Sequence, residues 1–169
     1  MTLTQMMIAV GIGSVVLATA ATVFVTSSFS FTAMGNYIAM DENSRNALDQ
    51  MTRDIRRSQN LTSFTTNQLV LNFSGSTNLV YNYDPVGQTL TSWKTGDAQT
   101  NTLLAGCNYL KFSVYASVPQ PGGVLTNTTI VSKAKAISVN WRCSRSAVKR
   151  VNTEYIQESL IVIRSKPVS

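Results

Sequence analysis

The pattern of apolar and polar positions changes twice along this chain. Residues 1–40 carry no charged side chain, and Asp41 is the first charged residue. Within that stretch, residues 6–25 (MMIAVGIGSVVLATAATVFV) are apolar or small at nearly every position. At a rise of about 1.5 Å per residue, some 20 helical residues cover the roughly 30 Å hydrocarbon core of a bilayer. The segment predicts a helix that is apolar all round, which needs lipid or protein on every side.

From Tyr37 the period stays helical while the apolar surface narrows to one side. Tyr37, Met40, Ser44, Leu48, Met51 and Ile55 recur at three- and four-residue spacing, giving a single stripe. Asp41, Arg45, Asp49 and Arg53 alternate in sign at i,i+4 and are expected to pair successively on the opposite face. One helix is thus predicted over residues 2–58, with any break confined to 11–14, where Gly11 and Gly13 sit. Each interior glycine, Gly35 included, costs up to about 1 kcal/mol relative to Ala.

Beyond Asn60 the period falls to two. Strands are predicted at 68–74, 78–83, 89–94, 108–116, 134–142 and 155–165, with turns at Gly75-Ser76 and Asp84-Pro85-Val86-Gly87 and a Pro/Gly/Thr-rich loop over 117–129. A helix followed by consecutive strands is the α+β class, here a long helix packed on a mostly antiparallel sheet. Residues 1–28 form the hydrophobic segment, and 29–169 the head, made of the amphipathic half-helix 29–58 and a sheet over 66–165.

Composition narrows the chemistry. The 169 residues leave room for one compact domain beyond the helix. The net charge of +6 lies wholly beyond residue 40. Its carriers are scattered, which suits a solvated surface, although Lys149-Arg150 near Arg145 could draw an anionic polymer. The absence of His excludes Ser-His and Cys-His nucleophile systems and leaves the two cysteines without a metal partner set. Asp84 reads as a turn starter, and Glu154 and Glu158 as one face of a strand. Gly122-Gly123 is a lone loop pair, and Trp93 and Trp141 are core or sheet residues ahead of a sugar platform. Sequons at Asn60, Asn72 and Asn127 are expected by chance in so Asn- and Thr-rich a chain. No catalytic, cofactor or metal site is expected, and the chain does not read as an enzyme. Cys107 and Cys143 fall in neighbouring predicted strands, LAGCNYLKFSVYA (104–116) and AKAISVNWRC (134–143), when the apolar runs are taken to their full extent. They read as a disulfide in an exported domain, with two free thiols as the alternative.

Three explanations of the N-terminal segment compete. A cleavable signal needs a basic flank and an apolar core of roughly 7–15 residues, whereas this run is longer and has no Lys or Arg before it. A plain anchor would carry flanking positive charge. The third explanation, a basic leader already removed just before Met1, accounts for both features.

At this point the whole chain resembles the type IV pilin-like proteins. MTLTQMMIAVGIGSVVLATAAT is similar to a processed prepilin segment. ALDQMTRDIRRSQNL (47–61), NLVYNYDPVGQTLTSW (78–93) and the closing strands AKAISVNWR and ESLIVIRS resemble PilW-type minor pilins and the J-type pseudopilins of type II secretion. The resemblance implies processing and N-methylation at Met1 by a prepilin peptidase, residence in the inner membrane of a bacterium, and insertion by an assembly platform into a periplasmic or extracellular filament. Gln5, Gly11, Gly13 and Val16 become the expected assembly residues, and other pilin subunits the partners. The family's Glu at the fifth position is Gln5 here, which supplies no counter-charge to a neighbour's amino terminus, and the Pro near position 22 is Thr22. The leading expectation is a structural filament subunit. The second is a tip or membrane-anchored binding protein that captures DNA or another anionic surface through its basic head.

Overall fold

The computed structural model describes residues 2–74, 77–116, 126–147 and 151–163. A single helix, α1, runs unbroken from Leu3 to Arg57, 55 residues, or roughly 80 Å at the usual rise. The helix continues through Gly11, Gly13 and Gly35, and no Pro interrupts its backbone ladder. The helix stops at Ser58, whose backbone is extended and whose N–H donates to Asp54 O at 2.9 Å. The Ser58 hydroxyl also returns to Ile55 O at 2.7 Å, so the last turn closes on itself before the chain enters the sheet.

Eight strands follow: β1 Asn60–Phe64, β2 Gln68–Ser74, β3 Thr77–Asp84, β4 Thr89–Lys94, β5 Asn101–Ala105, β6 Cys107–Tyr115, β7 Ala136–Ala147 and β8 Val151–Val162. All pairings are antiparallel. The α+β class is as expected, but the strands divide into two sheets, a five-stranded meander β1–β5 and a three-stranded sheet β6–β7–β8. The division lies within 104–116, which the sequence presents as one continuous strand. Gly106 breaks it with φ +73°, and a Cβ there would stand 3.0 Å from Ser144 O. Ser144 N–H donates to Gly106 O at 2.8 Å, so the crossover between sheets is pinned against β7.

Two strands, β1 and β5, were not among the expected six, so pairing begins at Asn60, ahead of the expected sheet boundary at 66. β7 and β8 also run longer into their shared hairpin than the 134–142 and 155–165 limits, with β8 starting four residues earlier. The Asp84 turn is as read, since Asp84 Oδ1 accepts the Val86 N–H at 2.9 Å. The loop residues 117–125, Gly75-Ser76, Lys149-Arg150 and the end of the last strand beyond 163 lie outside the described residues.

One core joins helix and both sheets. Met40, Ala47, Met51 and Ile55 of α1 pack with Leu69, Leu71 and Tyr81 of the meander and with Phe112, Ile137, Val139 and Trp141 of the smaller sheet. The stripe on the helix holds, except that Tyr37 remains half exposed and meets Tyr155 edge-on at 5.9 Å. The expected run of four alternating charges does not form. Among the described residues the ion pair is Asp41–Arg45 at 2.8 Å. Asp41 is drawn to the sheet by the Tyr155 hydroxyl, which donates to it at 2.9 Å, so this carboxylate flanks the packed face instead of opposing it. That hydrogen bond, and then Arg45, hold its carboxyl below the ordinary range. Cys107 and Cys143 are register partners across β6 and β7 and form the disulfide, closing a separation of 36 residues.

Candidate functional site

The feature least explained by the chain's own fold is the first part of α1. From Thr2 to Ala39 no described residue is buried, and the first buried one is Met40. Large apolar side chains stand in the open, among them Leu3 at 79%, Phe24 at 72% and Phe31 at 74% exposure. The helix is long and apolar enough to cross a membrane by length and composition, with mean hydropathy 2.3 over its best 18-residue window. Leaving such side chains in water forfeits roughly 1.5–3 kcal/mol for each that could be fully buried.

The exposed apolar surface extends past the membrane-length stretch and has a direction. Leu17, Phe24, Phe31, Met34 and Ile38 are exposed at spacings of seven, three and four. At about 100° per residue they lie on the side of α1 opposite Met40, Ala47 and Met51. The head therefore occupies one side of the helix and an apolar stripe the other.

Seven hydroxyls in this half are satisfied within the helix. The hydroxyls of Ser14, Thr19 and Thr22 return to carbonyls three residues back, and those of Thr26, Ser28, Ser30 and Thr32 to carbonyls four back, at 2.8–3.2 Å. These bonds hide hydroxyls that would be costly in an apolar medium. Thr26, Ser28, Ser30 and Thr32 are thus compatible with a dry neighbour.

The expected assembly residues can now be placed. Met1 lies outside the described residues. Gln5 turns inward on its own chain: its Oε1 accepts the Thr2 N–H at 3.1 Å, part of a capping box over the first turn. The resemblance does not point to this role, although the Thr-x-x-Gln spacing of residues 2–5 signals it. Val16 is 58% exposed, and a Cβ added to Gly11 or Gly13 would meet nothing within 4 Å. No partner from the chain's own head lies against these glycines, so packing within one chain does not require them.

Trp141 is fully buried, its Nε1–H donating to Ser44 Oγ at 3.1 Å, which is the core role expected. Trp93 is half-buried and borders a cleft with Arg53, Arg57 and Lys94. Arg142 and Arg145 stand exposed on β7, away from that group. Among the described residues no cluster of His, Cys, Asp or Glu could hold a metal ion.

No family model, curated protein or solved structure matches the chain.

Proposed function

We propose that the chain is a structural subunit of a type IV pilin-like filament, a pilus or a secretion pseudopilus, held in the inner membrane by α1 and then transferred into a helical bundle. One observation carries the reading: a 55-residue helix gives its last third to its own head and leaves the rest, apolar and internally hydrogen-bonded, without a partner. A lone membrane anchor needs only about 20 apolar residues. Here the apolar stripe continues to Ile38, beside the head, where lipid alone does not account for it. A neighbouring helix does. Transfer from bilayer to bundle is feasible because the two are similarly apolar, and small residues at Gly11 and Gly13 admit close helix approach.

On this reading burial of the stripe drives assembly and charge pairing does not, since Gln5 is engaged at its own N-terminus. The test compares Val16→Asp with Gln5→Ala in the source cells, with subunit abundance in sheared filaments measured by mass spectrometry. A carboxylate at residue 16 costs several kcal/mol in bilayer or bundle, so Val16→Asp should remove the subunit from filaments and Gln5→Ala should leave most of it. Absence of the wild-type chain from any sheared filament would overturn the assignment. Equal loss in both variants would overturn the primacy of burial.

A further inference from the structure

The cleft beside the end of α1 has a composition that the filament role does not use. It is an open cleft of about 760 Å³ between the last two turns of the helix, strands β2–β5 and the turn at Asp97, within the volume range of small-ligand sites. Arg53, Arg57 and Lys94 border it, and none forms a salt bridge among the described residues, where the ion pair is Asp41–Arg45. Two carboxylates face the same space, Asp54 and Asp97. Asp54 is already occupied by the hydroxyl of the buried Tyr81, which donates to it.

We propose that this cleft binds a carboxylated sugar, a pyranose of the uronic-acid type, independently of whether the chain assembles into a filament. The charge balance selects the anion. Three cations against two carboxylates leave a single positive charge in excess, suited to one carboxylate. A polyphosphate backbone would meet Asp54 and Asp97 unfavourably and calls for an unbroken basic track. A guanidinium binds a carboxylate through two parallel N–H donors, which gives orientation as well as attraction. The uncharged lining selects the remainder of the ligand. Gln50, Ser92 and Asn101 offer neutral donors and acceptors at the wall, matching the hydroxyls of a sugar. Half-buried Trp93 supplies a flat apolar surface on which the C–H face of a pyranose ring can lie.

The experiment titrates the full chain in detergent micelles with D-galacturonate and its short oligomers, using calorimetry and saturation-transfer NMR. Galactose, ribose 5-phosphate and a single-stranded oligonucleotide serve as comparison probes. Saturable galacturonate binding is expected, with galactose weaker by about tenfold or more for want of the charge-assisted pair. Arg57→Gln and Lys94→Gln, both at exposed positions that the fold tolerates, should each weaken galacturonate by about tenfold, and Trp93→Ala should weaken galacturonate and galactose alike. An intact disulfide and unchanged circular dichroism establish that each variant is folded. Absence of saturable galacturonate binding, galactose binding equal to galacturonate, or affinity indifferent to Arg57→Gln and Lys94→Gln would each overturn the site. Preference for ribose 5-phosphate or the oligonucleotide would overturn the sugar assignment.

Discussion

Deleting one hydroxyl, that of Ser44, probes how the head is fixed to the helix. Trp141 has no exposed surface and Ser44 has 1%, with the indole N–H donating to Ser44 Oγ at 3.1 Å. Ser44→Ala removes the acceptor and leaves a donor buried without a partner, at a cost of about 1–3 kcal/mol. Alanine's better helix propensity opposes this by less than about 0.7 kcal/mol. The net expectation is a destabilisation of about 0.5–2.5 kcal/mol. Trp141→Phe removes the donor and opens a void, so it is destabilising by itself. In the double variant no donor remains to be left unpaired, and the two effects should fall short of their sum by about 1 kcal/mol. Urea unfolding of the full chain in detergent, followed by far-UV circular dichroism, reads each midpoint at constant slope. A Ser44→Ala midpoint indistinguishable from wild type, or strictly additive single effects, would refute the reasoning.

Alkylation of the protein without reductant should modify neither Cys107 nor Cys143, and replacing both by Ala should lower stability by about 3–4 kcal/mol in the chain-entropy model for the 36-residue separation; two alkylated thiols in untreated protein would contradict the bridge. The folded-state pKa of Asp41 lies below its unfolded value, so its contribution is present above the ordinary carboxylate range and is lost as pH falls through the folded value. Asp41→Asn should flatten the stability profile below about pH 4 and leave its neutral region sloped as before. The hydroxyl of Tyr81 is raised by burial first and then by its bond to Asp54. Its contribution is complete below about pH 10 and disappears as pH climbs through the folded value, so Tyr81→Phe should blunt alkaline unfolding. Gly13→Leu should leave the helical dichroism of the isolated chain unchanged, because open space surrounds Gly13, yet reduce incorporation into filaments; undiminished incorporation would remove Gly13 from the contact surface.

The parts of the fold legible in advance are those where one period holds for many residues. The helix limits, 2–58 against Leu3–Arg57, follow from a pattern that no Pro disturbs. β2 and β4 match their expected limits because turn residues bracket them. β5 escaped notice because apolar residues continue through Gly106 into β6, and the positive φ that divides them is a property of the glycine's surroundings. β1 follows the helix after a two-residue gap and alternates too briefly to register. Charge periodicity on the helix misled in a different way. It places Asp41, Arg45, Asp49 and Arg53 along one helix but says nothing of Tyr155, which lies 114 residues from Asp41 and takes the carboxylate toward the sheet. The cleft was invisible for the same reason: Arg53 and Arg57 meet Lys94 and Trp93 only after the meander folds against the helix.

The line of attachments along α1 has a mechanical consequence. Tyr37 meets Tyr155, Ser44 accepts from Trp141, and Asp54 accepts from Tyr81. These positions span residues 37–54, roughly 25 Å of helix axis. Tension applied along the helix therefore loads the attachments together, in shear, instead of opening them one after another as a sideways pull would. Two of the three end on β7 and β8, and the disulfide ties β7 to β6, so that force passes into a sheet two of whose three strands are cross-linked. A thread built from such units would resist stretching along its length far better than peeling of its heads.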